Sequence, residues 1–118
     1  MSAIIESAKS HFREKLSGGL SSIEVPEWAV DGKPSVIYFK PSLNFLQQEK
    51  ILALSEQGKK AEAIVEALIQ RALDADGKHL FRSVNRQELM RQVDPEVISR
   101  VVGEMSGDDF SGDDVEKN

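Results

Sequence analysis

The chain contains no cysteine. Disulfides, thiolate zinc sites, iron–sulfur ligation and cysteine nucleophiles are excluded together, and the composition fits a reducing compartment. Aromatic residues are few, with one Trp, one Tyr and five Phe, and histidine occurs twice. No apolar run approaches the roughly 20 residues needed to cross a bilayer, and the N-terminal segment mixes acids and bases without a signal-peptide profile. Neither a membrane partner nor export is expected.

Positive charge is also scarce where it would matter for nucleic acid. The 118 residues carry 15 bases and 20 acids, a net charge of −5. Residues 107–118 hold Asp108, Asp109, Asp113, Asp114 and Glu116 against Lys117 alone, which is −4 and leaves −1 for residues 1–106. A nearly neutral folded part without a basic stripe argues against phosphate neutralisation, and hence against nucleic-acid binding.

What is present is helical periodicity. Ile4, Ile5, Ala8, Phe12 and Leu16 form one stripe about 120° wide, and Ser17-Gly18-Gly19 stops the helix. Either this helix packs on its own domain or it is an arm that docks on a neighbouring copy. The expected organisation is an N-terminal amphipathic helix at 1–16, a flexible joint at 17–22, a folded domain at 23–106 and a disordered acidic tail at 107–118. Residues 23–40 predict a β-hairpin. Asp31-Gly32 is its turn, Pro26 interrupts its first strand, Trp28 anchors it, and Val36-Ile37-Tyr38-Phe39 is a return strand covered on both faces.

Pro41-Ser42 opens a second helix running to about Gln57, with Ser42 as N-cap. Leu43, Leu46, Ile51 and Leu54 share one side of it, and Phe45 and Leu52 point almost opposite. That second face either meets another chain or lies under the hairpin. After Gly58, Ala61, Ile64, Val65, Leu68, Ile69, Ala72 and Leu73 mark the principal core helix, closed by Asp74-Ala75-Asp76-Gly77 with Gly77 as its C-terminal cap. Leu80 and Phe81 are expected to return to the core. Asn85 and Glu88 read as a capping box with Val84 and Leu89 as its staple, and Asp94-Pro95 starts a last helix with Val97, Ile98, Val101, Val102 and Met105 inward. The fold class is α+β and mostly helical: a small N-terminal hairpin packed with four to five helices.

Chemistry is hard to place on these residues. A calcium loop starting at Asp74 needs Gly at its sixth position and Glu at its twelfth, where His79 and Asn85 stand. His79 with Asp74, Asp76 and Ser83 matches no nucleophile elbow, and Ser17-Gly18-Gly19 lacks the strand and lysine of a phosphate loop. No catalytic residue, cofactor or metal ligand is assigned, and an enzyme is not expected. A small protein with surplus apolar faces and an acidic tail reads as an interaction module.

The hairpin segment Trp28-Ala29-Val30-Asp31-Gly32-Lys33, the strand and helix after it, and above all Asp74-Ala75-Asp76-Gly77-Lys78-His79-Leu80-Phe81 resemble tail assembly chaperones of long-tailed bacteriophages or a prophage-encoded relative. The similarity spans roughly residues 23–105, and its motifs are structural. It implies that the chain binds the tape measure protein, a long helical polypeptide with apolar stripes, and keeps it soluble while tail-tube subunits polymerise. It also implies self-association, residence in the host bacterial cytoplasm and absence from the mature virion. Ile5, Phe12, Phe45 and Leu52 are the candidate partner-binding residues, chosen by their apolar faces and not by the family. A head–tail connector or neck protein retained in the virion is the alternative; a DNA-binding regulator is disfavoured by the near-neutral folded part.

The family further implies two product lengths, the longer made when the ribosome slips back one nucleotide. Glu116-Lys117-Asn118 can be encoded GAA-AAA-AAC or GAA-AAA-AAT, and either spelling contains a run on which paired tRNAs can re-pair. A longer product carrying a second domain would recruit the tail tube protein. A GAG or AAG codon at Glu116 or Lys117, read from the gene, rules that product out.

Overall fold

A computed structural model describes residues 3–106 of the chain. The expected acidic tail lies outside the described residues. In order, the elements are α1 (Ala3–Ser17), β1 (Ser21–Val30), β2 (Lys33–Phe39), α2 (Phe45–Glu56), α3 (Lys60–Arg71), a 3-10 turn (Ser83–Asn85), α4 (Arg86–Gln92) and α5 (Pro95–Met105). The α+β class and the hairpin-plus-helices architecture are those expected. The joint is shorter than 17–22, because Ser21 and Ser22 already pair with Phe39 and Tyr38.

The hairpin turns where both central residues have positive φ, 54° at Asp31 and 79° at Gly32. That is the two-residue turn whose twist matches the strands it joins. Pairing runs from Ser21↔Phe39 to Val25↔Ser35, then lapses until Val30↔Lys33. Pro26 and Pro34 both fall in the lapse, and neither has an N–H to give the ladder. The Ser35 hydroxyl donates to the Trp28 carbonyl there, and the Trp28 ring meets Phe81 edge-on with centroids 6.2 Å apart. Ile23, Val25, Ile37 and Phe39 point into the core. The return strand is covered on one face only: Val36 is exposed and Tyr38 half-buried, so alternation prevails over the continuous apolar pattern.

Helix α3 sits at the centre, packed against α2, α4 and α5, while α5 also reaches β1. Neighbours on three sides bury Ala63, Glu66 and Ala67 as well as the expected Val65, Leu68 and Ile69; Ile64 is half-buried and Ala61 exposed. The last helix is as expected. Asp94 caps it by accepting from the Glu96 N–H, Pro95 follows, and all five stripe residues are buried.

Four local expectations need correcting. Helix α2 is capped by Asn44, not Ser42: its side chain accepts from the Gln47 N–H at 2.9 Å, and Gln47 reciprocates on the Asn44 N–H at 3.0 Å. Leu46, placed on the inner side of α2, is exposed. Val84 is exposed and staples nothing, while the Asn85 side chain accepts from the Arg82 N–H and donates to Glu88 instead of capping α4. Helix α3 ends at Arg71, so Ala72 and Leu73 are buried in extended chain beyond it.

That last change explains the Asp-Ala-Asp-Gly motif. Leu73 exchanges both backbone hydrogen bonds with Tyr38, at 2.8 and 2.9 Å, and so lies along the edge of β2. The chain then folds back: the Asp74 N–H donates to the Lys78 carbonyl and Leu80 N–H to the Ala72 carbonyl. Asp74 Oδ1 accepts from the N–H groups of Asp76 and Lys78, and Gly77 has φ +85°. Gly77 therefore serves a miniature hairpin and not a helix cap. This tight return leaves Leu80 42% exposed, whereas Phe81 packs against the core. Nothing lies within 4 Å of a Cβ built on Gly77, so a substitution there meets only backbone strain. Gly77→Ala should cost about 1–2 kcal/mol and the β-branched Gly77→Val more, by urea denaturation. Asp76→Asn should be close to neutral, because the turn uses its backbone N–H.

One surface ion pair ties the hairpin to the last helix. Arg100 of α5 meets Glu27 of β1 through two hydrogen bonds of 2.6 and 3.0 Å. Chiefly through those bonds from Arg100, the Glu27 carboxyl is lowered from 4.5 to about 2. Its contribution is present above pH 4.5 and is lost as the pH falls toward about 2. Glu27→Gln should flatten the acid limb of the stability curve over that window, with little change in salt-screened conditions near neutrality.

Candidate protein-docking groove

The groove follows from which side chains are small. Gln57-Gly58-Lys59 joins α2 to α3, and Gly58 takes φ +81° so that the two helices run back beside each other. On α3 the positions one turn apart facing α2 are Ala63 and Ala67, which fill little space. Helix α2 buries no residue completely and reaches the core through the half-buried Ile51. The result is an open cavity of about 690 Å³ between α2, α3, the 41–43 loop and the end of α5. Its apolar lining includes Ile64 and the two alanines from α3, Leu52 from α2 and Met105 from α5.

The charged residues lining it are all of one sign: Lys15 from α1, Lys60 at the start of α3 and Arg71 at its end. Arg71 lies over the Phe39 ring, 5.7 Å from its centroid, and donates to the Lys40 carbonyl. Neither Lys15 nor Lys60 forms an ion pair among the described residues. Lys50, also on α2, is used elsewhere, 3.8 Å from Glu66.

Glu66 is the buried charge of the protein's core. Its carboxylate accepts from Arg86 of α4 and from Gln70, both at 2.7 Å. Burial by itself would push the carboxyl up, but the hydrogen bonds from Gln70 and Arg86, helped by the Lys50 charge, hold it below its ordinary value. This cluster links α3 to α4 and, through Lys50, to α2.

The four residues singled out by sequence fall in three places. Phe45 and Leu52 lie two turns apart on one face of α2, roughly 10 Å along its axis. Phe45 is 83% and Leu52 54% exposed, so neither lies under the hairpin, and Leu52 also lines the groove. Phe12 is half-buried and, with Leu16, lines a separate cavity of about 180 Å³ near His79. Ile5 lines neither cavity and is exposed on α1, a helix with no fully buried residue. The cationic rim was missed. Lys15 and Lys60 stand in mixed-charge stretches whose arrangement around a hollow appears only once the helices are packed.

Two of the polar residues weighed for chemistry, His79 and Asp74, are engaged structurally. His79 Nδ1 lies 3.2 Å from the Ile69 carbonyl, and one Asp74 carboxylate oxygen takes two backbone N–H groups. Among the described residues no cluster of three metal-ligating side chains occurs, and no helix is long and apolar enough to cross a membrane. No family model matches the chain, and no curated protein or solved structure is significantly similar to it.

Proposed function

We propose that the chain is a phage tail assembly chaperone whose α2–α3 groove receives an amphipathic helix of the tape measure protein. The observation that carries this reading is the apolar groove of about 690 Å³, bordered by the exposed Phe45–Leu52 face of α2. Along α3, from Lys60 to Arg71, the groove extends roughly 17 Å, three helical turns. A helix presenting apolar residues at i, i+4 and i+7 spans about 10 Å and so fits within that length. Resemblance over residues 23–105 supplies the identity of that helix.

On this reading the protein acts in the host bacterial cytoplasm, self-associates through the apolar residues of α1 and α2, and is lost before the particle is complete. Its longer frameshift product brings the tail tube protein to the loaded complex. Co-expression with the tape measure protein tests it: the tape measure should be soluble and co-purify with this chain, and should precipitate without it. Finding this chain as a stoichiometric component of purified particles would instead favour the connector.

A further inference from the structure

Among the described residues no carboxylate lines the groove, while five acids follow within the next ten residues of sequence. Ser106, the last described residue, itself lines the groove. The next residues read Gly107-Asp108-Asp109-Phe110-Ser111-Gly112-Asp113-Asp114-Val115. One aromatic is thus flanked on both sides by paired acids, and the groove is lined by apolar side chains together with Lys15, Lys60 and Arg71. The dimensions agree. Phe110 is four residues past Ser106 and so can reach about 13 Å, well inside a groove roughly 17 Å long, and the segment to Val115 can span it completely.

We propose that residues 108–115 of the same chain occupy the α2–α3 groove when no partner does, with Phe110 against Ile64 and the aspartate pairs against Lys15 and Lys60. One buried aromatic and complementary charge suffice for a weak, reversible contact at the high effective concentration of a tethered ligand. The tail then covers apolar surface that would otherwise promote aggregation, and an incoming helix must displace it. That regulatory consequence rests on the chaperone reading; the docking itself does not.

Because these 118 residues contain no cysteine, Asn118→Cys gives the chain a single site for a nitroxide label. Paramagnetic broadening of the methyl resonances of Ile51, Ile64 and Met105 is then compared with that of Ile23 and Val25. The expected result is broadening concentrated on the groove methyls, reduced severalfold by Phe110→Ser in the same chain. Raising the salt from about 0.1 M to 1 M, which shortens the screening length from about 10 to 3 Å, should reduce it likewise. A profile unchanged by Phe110→Ser would overturn the docking, because a tail merely tethered at Ser106 broadens its surroundings whatever residue stands at 110. Groove broadening only when the label is on one chain and the isotopes on another would also overturn it, by making a second copy the occupant. Loss of docking with tape measure binding intact leaves the chaperone reading standing; retained docking without tape measure binding removes that reading alone.

Discussion

Replacing Arg86 with methionine should destabilise the protein by about 3 kcal/mol or more at neutral pH, by urea denaturation. The Glu66 side chain is 4% exposed, and Arg86 is its closest charge partner at 2.7 Å. Removing that partner leaves a buried carboxylate with Gln70 and the more distant, largely exposed Lys50. In the native protein the Glu66 carboxyl is held below its ordinary 4.5, so its contribution is complete above that pH and falls as the pH drops through the lowered value. Without Arg86 one of the hydrogen bonds that oppose burial is lost, so the folded carboxyl titrates higher than in the parent and the variant's deficit shrinks as the pH is lowered. Parallel pH profiles for the two proteins would refute this account. Pairing Arg86→Met with Glu66→Leu should recover most of the loss, because an apolar pair of similar bulk needs no desolvation of charge.

If the proposed function holds, Phe45→Asp and Leu52→Asp should each weaken tape measure binding by roughly 30-fold or more, the effect of losing a central apolar anchor of about 2 kcal/mol. Their stability should stay within about 0.5 kcal/mol of the parent, because both side chains already face solvent. Leu68→Ala is the opposite case. Leu68 is fully buried, so its truncation should cost about 2–5 kcal/mol while the remaining folded molecules bind normally. Titration of a tape measure fragment, followed by calorimetry, with denaturation of each variant, separates these outcomes. Unfolding by either aspartate would return the outer face of α2 to the protein's own core; undiminished binding would move the interface away from α2.

The elements legible in the sequence were those whose signals are local. Asp31-Gly32 can hardly be anything but a tight turn, and Asp94-Pro95 ahead of a five-residue stripe defines α5 completely. The cap of α2 was also written there: Asn44 has Gln47 at the third helical position, the reciprocal pair that Ser42 lacks. What periodicity could not convey is the number of neighbours. It identifies the most apolar side of α3, but the burial of Glu66 depends on Arg86, twenty residues on, arriving against another side. Likewise the outward exposure of Phe45 and Leu52 was one of two alternatives until α2 was seen to pack on α3. The groove was hidden for the reverse reason. Ala63 and Ala67 read as ordinary core residues, and only their apposition to a helix that stands off them turns small size into a hollow.

The hairpin's outer border limits how copies of this protein can come together. β2 is flanked by Leu73 on its inner side, which leaves β1 as the free margin of the sheet among the described residues. Pro26 removes a donor from the middle of that margin, pairing lapses beside it, and Glu24 places negative charge on the same strand, while Glu27 is engaged by Arg100. A second β1 approaching in register would find missing donors and like charges, so strand-on-strand growth into fibres is blocked at the first step. On the proposed reading, such a barrier keeps strand pairing between copies from competing with the capture of an apolar client helix.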